Sequence, residues 1–373
     1  MFLRIYRPPT SDDTKIDDCL VTYLNCAVSY EYEAYHAGTG RFSLTLPLTS
    51  KTVQSILDGY LIIAEDEAIP GQDILRVDGI DTSNGVLSIT GHDLGVLLDR
   101  RYSLYGAEQA AGAQGYDIVE GTTAECVEHY LNNNIINPDD ANRKIPLLIF
   151  RQNGVPGLPN DSYMARLQQL SVIVNDLCIN AGIGYRFSTL SGRYLTFSLR
   201  QGVDRSVDQS ERGRVILSKN RRNVTALRFS ENSENFFNAI YATGSSGADI
   251  TRPVYRDATP PAGFDRCETA IDVAASDIDD IEKYALYETR DNIKQYTYDV
   301  EVGADLYRTK FDLGDIITIL DEDRGIYYSG PVESVKKSIA TGKRSVSITV
   351  GKAVPKFLNR IITGIYNGTQ KRR

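Results

Sequence analysis

The heptapeptide LDGYLII at Leu57–Ile63 and the related heptapeptide LGDIITI at Leu313–Ile319 lie near opposite ends of the chain and decide its fold. Each places a glycine beside an aspartate, directly before an apolar run rich in isoleucine. A turn of this kind followed by β-branched residues is typical of the start of a β-strand. The chain therefore contains nearly the same turn and strand twice.

The similarity continues beyond the two heptapeptides in the same order. The first is followed by an acidic stretch, then ILRVDGI at Ile74–Ile80 and GVLSITG at Gly85–Gly91. The second is followed by another acidic stretch, then YSGPVESV at Tyr328–Val335 and RSVSITVG at Arg344–Gly351. This recurrence predicts two related β units, with chance similarity of β-patterned sequence as the alternative.

Composition places the chain among ordinary globular proteins. Its 373 residues are 42% apolar and 24% charged, enough for two or three domains with cores of their own. No apolar run approaches the roughly 20 residues of a membrane-spanning helix. The start, MFLRIYRPP, is interrupted too early by arginines to be a signal peptide, so assembly in a cytoplasm is expected.

Charge and cysteine content exclude several classes. A net charge of −8 argues against a protein that binds nucleic acid through its phosphates. The five cysteines are odd in number and form no C-x-x-C pair, which argues against structural zinc and a disulfide framework.

Periodicity divides the chain into four segments. We predict an α+β fold that is mainly β, with two related small antiparallel β-barrels and an α+β insertion between them. The predicted bounds are 1–93 for the first barrel, 94–219 for the insertion, 220–354 for the second barrel with a loop-helix insertion at about 245–296, and 355–373 for a C-terminal tail.

Within these segments several elements are predicted in detail. Thr122 and Glu125 have the spacing of a capping box that begins a helix. Apolar residues recur at helical spacing over Asp161–Ala181, and two strands around Ser191-Gly192 form a hairpin. Further helices are predicted at Ser276–Gln295 and in the tail.

No catalytic constellation, cofactor motif or metal-ligand spacing is found, so no catalytic, cofactor-binding or metal-binding residue is predicted, and no cofactor. Two residue patterns are compatible with a hydrolase. Cys126 and His129 lie three residues apart on one predicted helix, but such pairs are more often packing residues than a dyad. The acidic run at Asp277, Asp279, Asp280 and Glu282 could supply paired carboxylates for glycoside cleavage, but it is better explained as a solvated first helical turn.

The segments at Thr39–Glu67 and Gly85–Arg101 resemble the opening of the tail-associated, or baseplate hub, proteins of long-tailed phages and prophages, especially the siphophage tail family. That family has a G-x-[DE]-L-x-x-L-L-x-x-R element after its first strands. Here it is matched by Gly91, Asp93, Leu94, Leu97, Leu98 and Arg101. LGDIITI and SVSITVG resemble the second barrel of the same proteins.

The resemblance implies a structural protein rather than an enzyme, with two barrels called tube domains in each chain. Three chains would form a ring of pseudo-six-fold symmetry that joins the tail tube to the tip or spike and leaves a channel for DNA. The implied partners are a distal tail protein or tail tube hexamer, the tape measure protein, and tip, spike or receptor-binding proteins. DNA would pass without specific binding, and the chain would reside at the virion tail tip. A cell-wall-degrading or carbohydrate-binding tail component is the alternative.

Overall fold

A computed structural model describes residues 1–104, 116–152, 155, 157–243, 252–256, 259–272, 281–282, 285–286, 289, 292–340, 342–351 and 356–357. These residues form a mainly β protein with few helices, as predicted. They fall into two compact units. The larger contains the described parts of Met1–Arg228, Asp299–Val350 and Pro355–Arg373, and the smaller contains those of Phe229–Tyr298 and Gly351–Val354.

Strands and helices are numbered here in chain order. The strands are β1 Phe2–Tyr6, β2 Leu20–Leu24, β3 Ser29–Tyr35, β4 Arg41–Pro47, β5 Leu61–Glu65, β6 Gln72–Ser83, β7 Val86–Asp93, β8 Asp117–Thr122, β9 Leu148–Arg151, β10 Asn160–Ala165, β11 Gly184–Leu190, β12 Tyr194–Arg200, β13 Ile216–Leu217, β14 Val224–Asn232, β15 Ala239–Thr243, β16 Arg252–Tyr255, β17 Glu268–Asp272, β18 Gln295–Val302, β19 Ile316–Asp321, β20 Ile326–Ala340, β21 Lys343–Gly351 and β22 Lys356–Phe357. The α-helices are α1 Ser50–Ser55, α2 Val96–Asp99, α3 Thr123–Leu131 and α4 Leu170–Asn180.

One large sheet dominates the described chain. Its order is β14-β18-β21-β20-β3-β4-β7-β6-β5-β1-β2, with β19 on β20, β13 on β19 and β22 on β20. Neighbouring strands such as β3 and β4 are antiparallel, as predicted. The order runs between two ends, β14 and β2, and the described strands show no closed barrel. The two separate barrels are therefore not confirmed and stay a prediction.

The repeated sequence forms a repeated structure. Strands β5, β6 and β7 form one meander, and β19, β20 and β21 form another. The Gly59 amide donates to the Val77 carbonyl at 2.9 Å, and the Gly314 amide donates to the Val332 carbonyl at 2.8 Å. Both glycines have positive φ, +78° and +88°, which turns the chain sharply into the strand that follows.

A β-bulge occupies the same place in both meanders. The β6–β7 register shifts between Val77 and Gly79, and the β20–β21 register shifts between Val332 and Ser334. A bulge bends its strand and increases the local twist, so the two halves of each long strand can pair with different neighbouring strands. Residues 255 positions apart are thus structurally equivalent in β5 and β6 against β19 and β20, as Val77 and Val332 show, and the offset becomes 259 in β7 against β21, where Leu87 corresponds to Val346.

The segment between the two copies is α+β. It contains the β8–β10 pair, the β9-β12-β11 sheet and helices α3 and α4 over a shared apolar core. The capping box is confirmed, since Thr122 and Glu125 each bond the other's backbone amide. The hairpin is also confirmed, with Ser191 and Gly192 both at positive φ.

The single helix predicted over Asp161–Ala181 is wrong in its first half. Residues Asn160–Ala165 form β10, which pairs with β8, and the helix begins only at Leu170. The apolar side chains of Met164 and Leu167 are 56% and 57% exposed, so they are not part of the buried helix face. Their spacing fits a helical period, but pairing with β8 determines a strand at residues 160–165 instead.

The smaller unit has a sheet of order β16-β15-β17. Its core contains Ile240, Ala242, Val254, Ile281 and Ala285. Most of the helix predicted over 276–295 lies outside the described residues. So does the tail at 355–373, except Lys356–Phe357, which form a short strand on β20.

Gly59 and Gly314 are equivalent, but they differ in the space that surrounds them. A Cβ on Gly314 would lie 2.2 Å from the His36 ring, whereas a Cβ on Gly59 would have 3.6 Å to its nearest neighbour, Arg76. We expect Gly59→Ala to cost about 1–2 kcal/mol of unfolding free energy from the left-handed backbone alone. Gly314→Ala should cost about 3 kcal/mol or more because the clash adds to this. Urea unfolding of both variants measures the difference, and equal costs would contradict it.

Candidate functional site: two open strand edges and a polar sheet face

We call strands β3 to β7 the first copy of the sheet, and β14 with β18 to β21 and the loops between β18 and β21 the second copy. The two copies are joined inside the chain by one strand pair. The second half of β20, Ser334–Ala340, pairs antiparallel with β3 from the first copy. In the first copy the strand equivalent to β20 is β6. Its second half pairs with β7 on one side, and no described strand pairs with its other side. We call this the β6 edge, residues 79–83.

Side chains of the β6 edge are more exposed than the equivalent side chains of β20. Ile80 is 41% exposed, whereas the equivalent Val335, covered by β3, is fully buried. Thr82 is exposed, whereas the equivalent Lys337 is buried. An apolar side chain on an unpaired strand edge is the feature that proteins usually avoid unless the edge is covered by another chain.

The complementary edge is on β14, at one end of the same sheet. The order β14-β18-β21-β20 repeats the order β3-β4-β7-β6, so β14 is equivalent to β3. Inside the chain β3 covers β20, but β14 has only β18 as a described neighbour. Thr225, Ala226 and Arg228 on β14 are exposed, while Tyr30 and Tyr32 on β3 are buried. We call this the β14 edge, residues 224–228.

A buried ionic cluster lies beneath the β3–β20 joint. Asp73 of β6 accepts a hydrogen bond from the Tyr30 hydroxyl at 3.0 Å and forms ion pairs with Lys337 and, at 3.2 Å, Arg308. Lys337 Nζ also lies 5.1 Å from the centroid of the Tyr32 ring. Asp73 belongs to the first copy, whereas both cations belong to the second. One carboxylate therefore links the two copies.

Burial and charge set the titration of the cluster. Burial alone would raise the pKa of Asp73, but Lys337 and Arg308 reverse this and hold it below its ordinary value. Burial also lowers the pKa of Lys337 to about 8 from 10.5, with Asp73 opposing the effect. The charged lysine is disfavoured by desolvation, and the carboxylate keeps it from falling further.

The lowered lysine pKa predicts a dependence of stability on pH. Between pH 8 and 10.5 the unfolded chain keeps this proton while the folded chain releases it, so the lysine's contribution to unfolding free energy rises with pH. Below pH 8 both states are protonated and the contribution is flat. The difference between wild type and Lys337→Met should grow by about 3 kcal/mol across this window. Denaturant unfolding at pH 7 to 10.5 measures it; a difference that shrinks with pH would contradict the assignment.

The outer face of the joined sheet is polar. Along β3, β4, β7 and the paired halves of β6, β20 and β21, alternate residues point away from the core. The Thr349 hydroxyl donates to Asp299 at 2.9 Å, which places β18 residues on the same face. We call these rows the polar face. Its charged members are Glu31, Glu33, Asp81, Asp299 and Glu301 against Arg41, Lys336 and Lys343, and most of the others are serines and threonines.

The Cys126–His129 pair does not have the geometry of a dyad. The His129 Nε2 atom lies 2.8 Å from Asp117 Oδ1, and Cys126 Sγ lies near the carbonyls of Gly121 and Asp161. Burial raises the pKa of the Cys126 thiol to about 11, so it is a protonated packing residue at neutral pH. The aspartates of the acidic run, Asp277, Asp279 and Asp280, lie outside the described residues, whereas Glu282 is described in a helical segment.

Among the residues that the structure describes, no group of three or more His, Cys, Asp or Glu side chains is arranged to hold a metal ion. No helix in the described part of the chain has both the length and the apolar character needed to cross a membrane.

The fold of this chain is similar to the fold of solved tail proteins. The 43 kDa tail protein of prophage MuSo2 from Shewanella oneidensis is similar with a TM-score of 0.58 and 14% identity, over 94% of this chain and 97% of that one. A tail protein from Neisseria meningitidis MC58 has a TM-score of 0.61 and 10% identity, covering 94% and 96%. Prophage tail protein gp18 from Listeria monocytogenes EGD-e has a TM-score of 0.55 and 10% identity, covering 98% and 99%.

No curated protein matches the chain in sequence. A family model described as Siphovirus ReqiPepy6 Gp37-like protein matches residues 20–352. This match includes both meanders and the segment between them. The chain therefore belongs to the Siphovirus ReqiPepy6 Gp37-like protein family, which confirms the predicted resemblance to siphophage tail proteins.

Proposed function

We propose that this protein is a structural hub of a phage tail or a phage-tail-like particle. Three chains form a ring of pseudo-six-fold symmetry that joins the tail tube to the tip or spike. The supporting observation is the pair of open edges. A chain that joins its two sheet copies through β20 and β3 leaves the equivalent edges, on β6 and β14, without a partner among the described strands.

These edges differ from each other, so pairing β6 of one chain with β14 of the next is a heterologous contact. Such contacts form a closed ring when the rotation between neighbours closes. If the chain-to-chain joint repeats the β3–β20 geometry, each copy occupies one sixth of the ring. Three chains then contribute six copies, which match a partner of six-fold symmetry. This match is the role that we propose for the duplication.

The polar face becomes the wall of the channel in this arrangement. Its five carboxylates and its hydroxyl groups offer little attraction to phosphates. Together with the net charge of −8, they favour a conduit along which DNA slides without specific binding. We propose that the two sheet copies complete tube domains at 1–93 and 220–354, with 94–219 as the insertion and 355–373 as a tail.

The proposed partners follow from this position. They are a distal tail protein or tail tube hexamer on one side, tip, spike or receptor-binding proteins on the other, and the tape measure protein in the channel. The proposed location is the virion tail tip, with assembly in the host bacterial cytoplasm.

Light scattering of the purified chain across a concentration series tests the ring. The expected species has about three times the 41.4 kDa mass of one chain. Electron micrographs of that species should show end views with six similar lobes around a central hole. A chain that stays monomeric at every concentration would contradict the proposal.

A further inference from the structure

This inference rests on the proposed ring and concerns how each strand finds its correct neighbour. The ring contains two strands of the β3 type, β3 and β14, and two of the β20 type, β20 and β6. Because their backbones are equivalent, main-chain hydrogen bonds alone would accept any of the four pairings. Pairing β3 with β6 of another chain would displace β20 and produce open or irregular assemblies instead of a closed trimer.

The side chains beneath the joint differ between the two copies. Under β3 lies Asp73, and β20 brings Lys337 to it. The position equivalent to Asp73 in the second copy is Tyr328, since Asp73 pairs with Ala64 on β5 and Tyr328 pairs with the equivalent Ile319 on β19. The position equivalent to Lys337 is Thr82, since Lys337 pairs with Val346 and Thr82 with the equivalent Leu87.

Each incorrect pairing therefore buries a charge without its partner. If β6 of another chain took the place of β20 on β3, Thr82 would stand where Lys337 stands. Asp73 would then lose both Lys337 and Arg308, because both cations come from the second copy. If β20 were placed on β14 of another chain, Lys337 would be buried over the phenol of Tyr328 instead of a carboxylate. A buried charge left unpaired is strongly unfavourable.

We propose that the residue pairs Asp73–Lys337 and Tyr328–Thr82 act as a neighbour code, in which the ionic pair marks the joint inside a chain and the uncharged pair marks the joint between chains. The code works mainly by penalising incorrect partners. Its specificity resides in four side chains, while affinity comes from the strand edges.

The substitution Thr82→Lys tests the code directly. Thr82 is exposed in the single chain, so the variant should fold and unfold like wild type. In the ring its lysine would be buried over Tyr328 without a carboxylate, and the concentration at which half of the chains are trimeric should rise at least about 100-fold. Ser162→Lys, which adds the same charge at an exposed strand position outside the sheet copies, serves as the control and should assemble like wild type.

The second variant moves the ionic pair to the joint between chains. Thr82→Lys combined with Tyr328→Asp should recover at least tenfold of the lost assembly, which a merely steric effect of lysine would not allow. A Thr82→Lys chain that assembles like wild type would overturn the code while leaving the ring intact. Absence of a trimer from the wild-type chain would overturn the ring and the code with it.

Discussion

Asp73→Asn is expected to lower the unfolding free energy of the chain by about 3–5 kcal/mol, the usual cost of removing one partner from a buried ionic group. Asp73 is the acceptor for Lys337 and Arg308, and these three side chains are 6%, 5% and 9% exposed. An asparagine of the same shape keeps the hydrogen bond from Tyr30 but leaves two buried cations without the carboxylate that both of them pair with. Urea or guanidinium unfolding followed by circular dichroism measures the loss.

Two variants identify the cause of the loss. Asp81→Asn removes a carboxylate from an exposed position on the same strand and should change stability by no more than about 0.5 kcal/mol. Adding Lys337→Met to Asp73→Asn removes one of the uncompensated cations and should recover about 1–2 kcal/mol. If Asp73→Asn were no more costly than Asp81→Asn, the cluster would not hold the two copies together.

Much of the local structure could be predicted because short-range signals determine it. The turns before Leu61 and Ile316 each contain a glycine that the backbone requires, and β-branched residues follow. The hairpin at Ser191-Gly192 and the capping box at Thr122 and Glu125 are equally local. Each of these elements depends on residues within a few positions of one another.

The joint between the copies could not be predicted, because it depends on which strands become neighbours. Asp73 and Lys337 are 264 residues apart, and neither lies in a recognisable motif. Hydrophobic patterning identifies β6 and β14 as strands but does not show that one side of each is unpaired. Aligning the two copies shows a charged residue opposite an uncharged one at 73/328 and at 82/337, but Arg76 stands opposite Pro331 in the same way, so the alignment alone does not single out the joint.

Ile80→Glu is expected to prevent ring formation without unfolding the chain. Its side chain is 41% exposed in the single chain, so the carboxylate stays hydrated there and stability should change by less than about 1 kcal/mol. At the proposed joint it occupies the position of Val335, which β3 covers completely. Burying an unpaired carboxylate at this position in each of three joints should raise the concentration for half-assembly at least about 100-fold.

Met164→Glu is the matched control for this prediction. Met164 is 56% exposed on β10, outside the two sheet copies, so the same new charge should leave assembly unchanged. Light scattering and sedimentation velocity of the three chains at equal concentrations compare their masses. Trimers of Ile80→Glu as stable as those of wild type would show that the β6 edge is not the contact surface. Loss of the trimer in Ile80→Glu alone would locate the joint on that edge, because the monomer carries the change without penalty and only a partner strand would bury it.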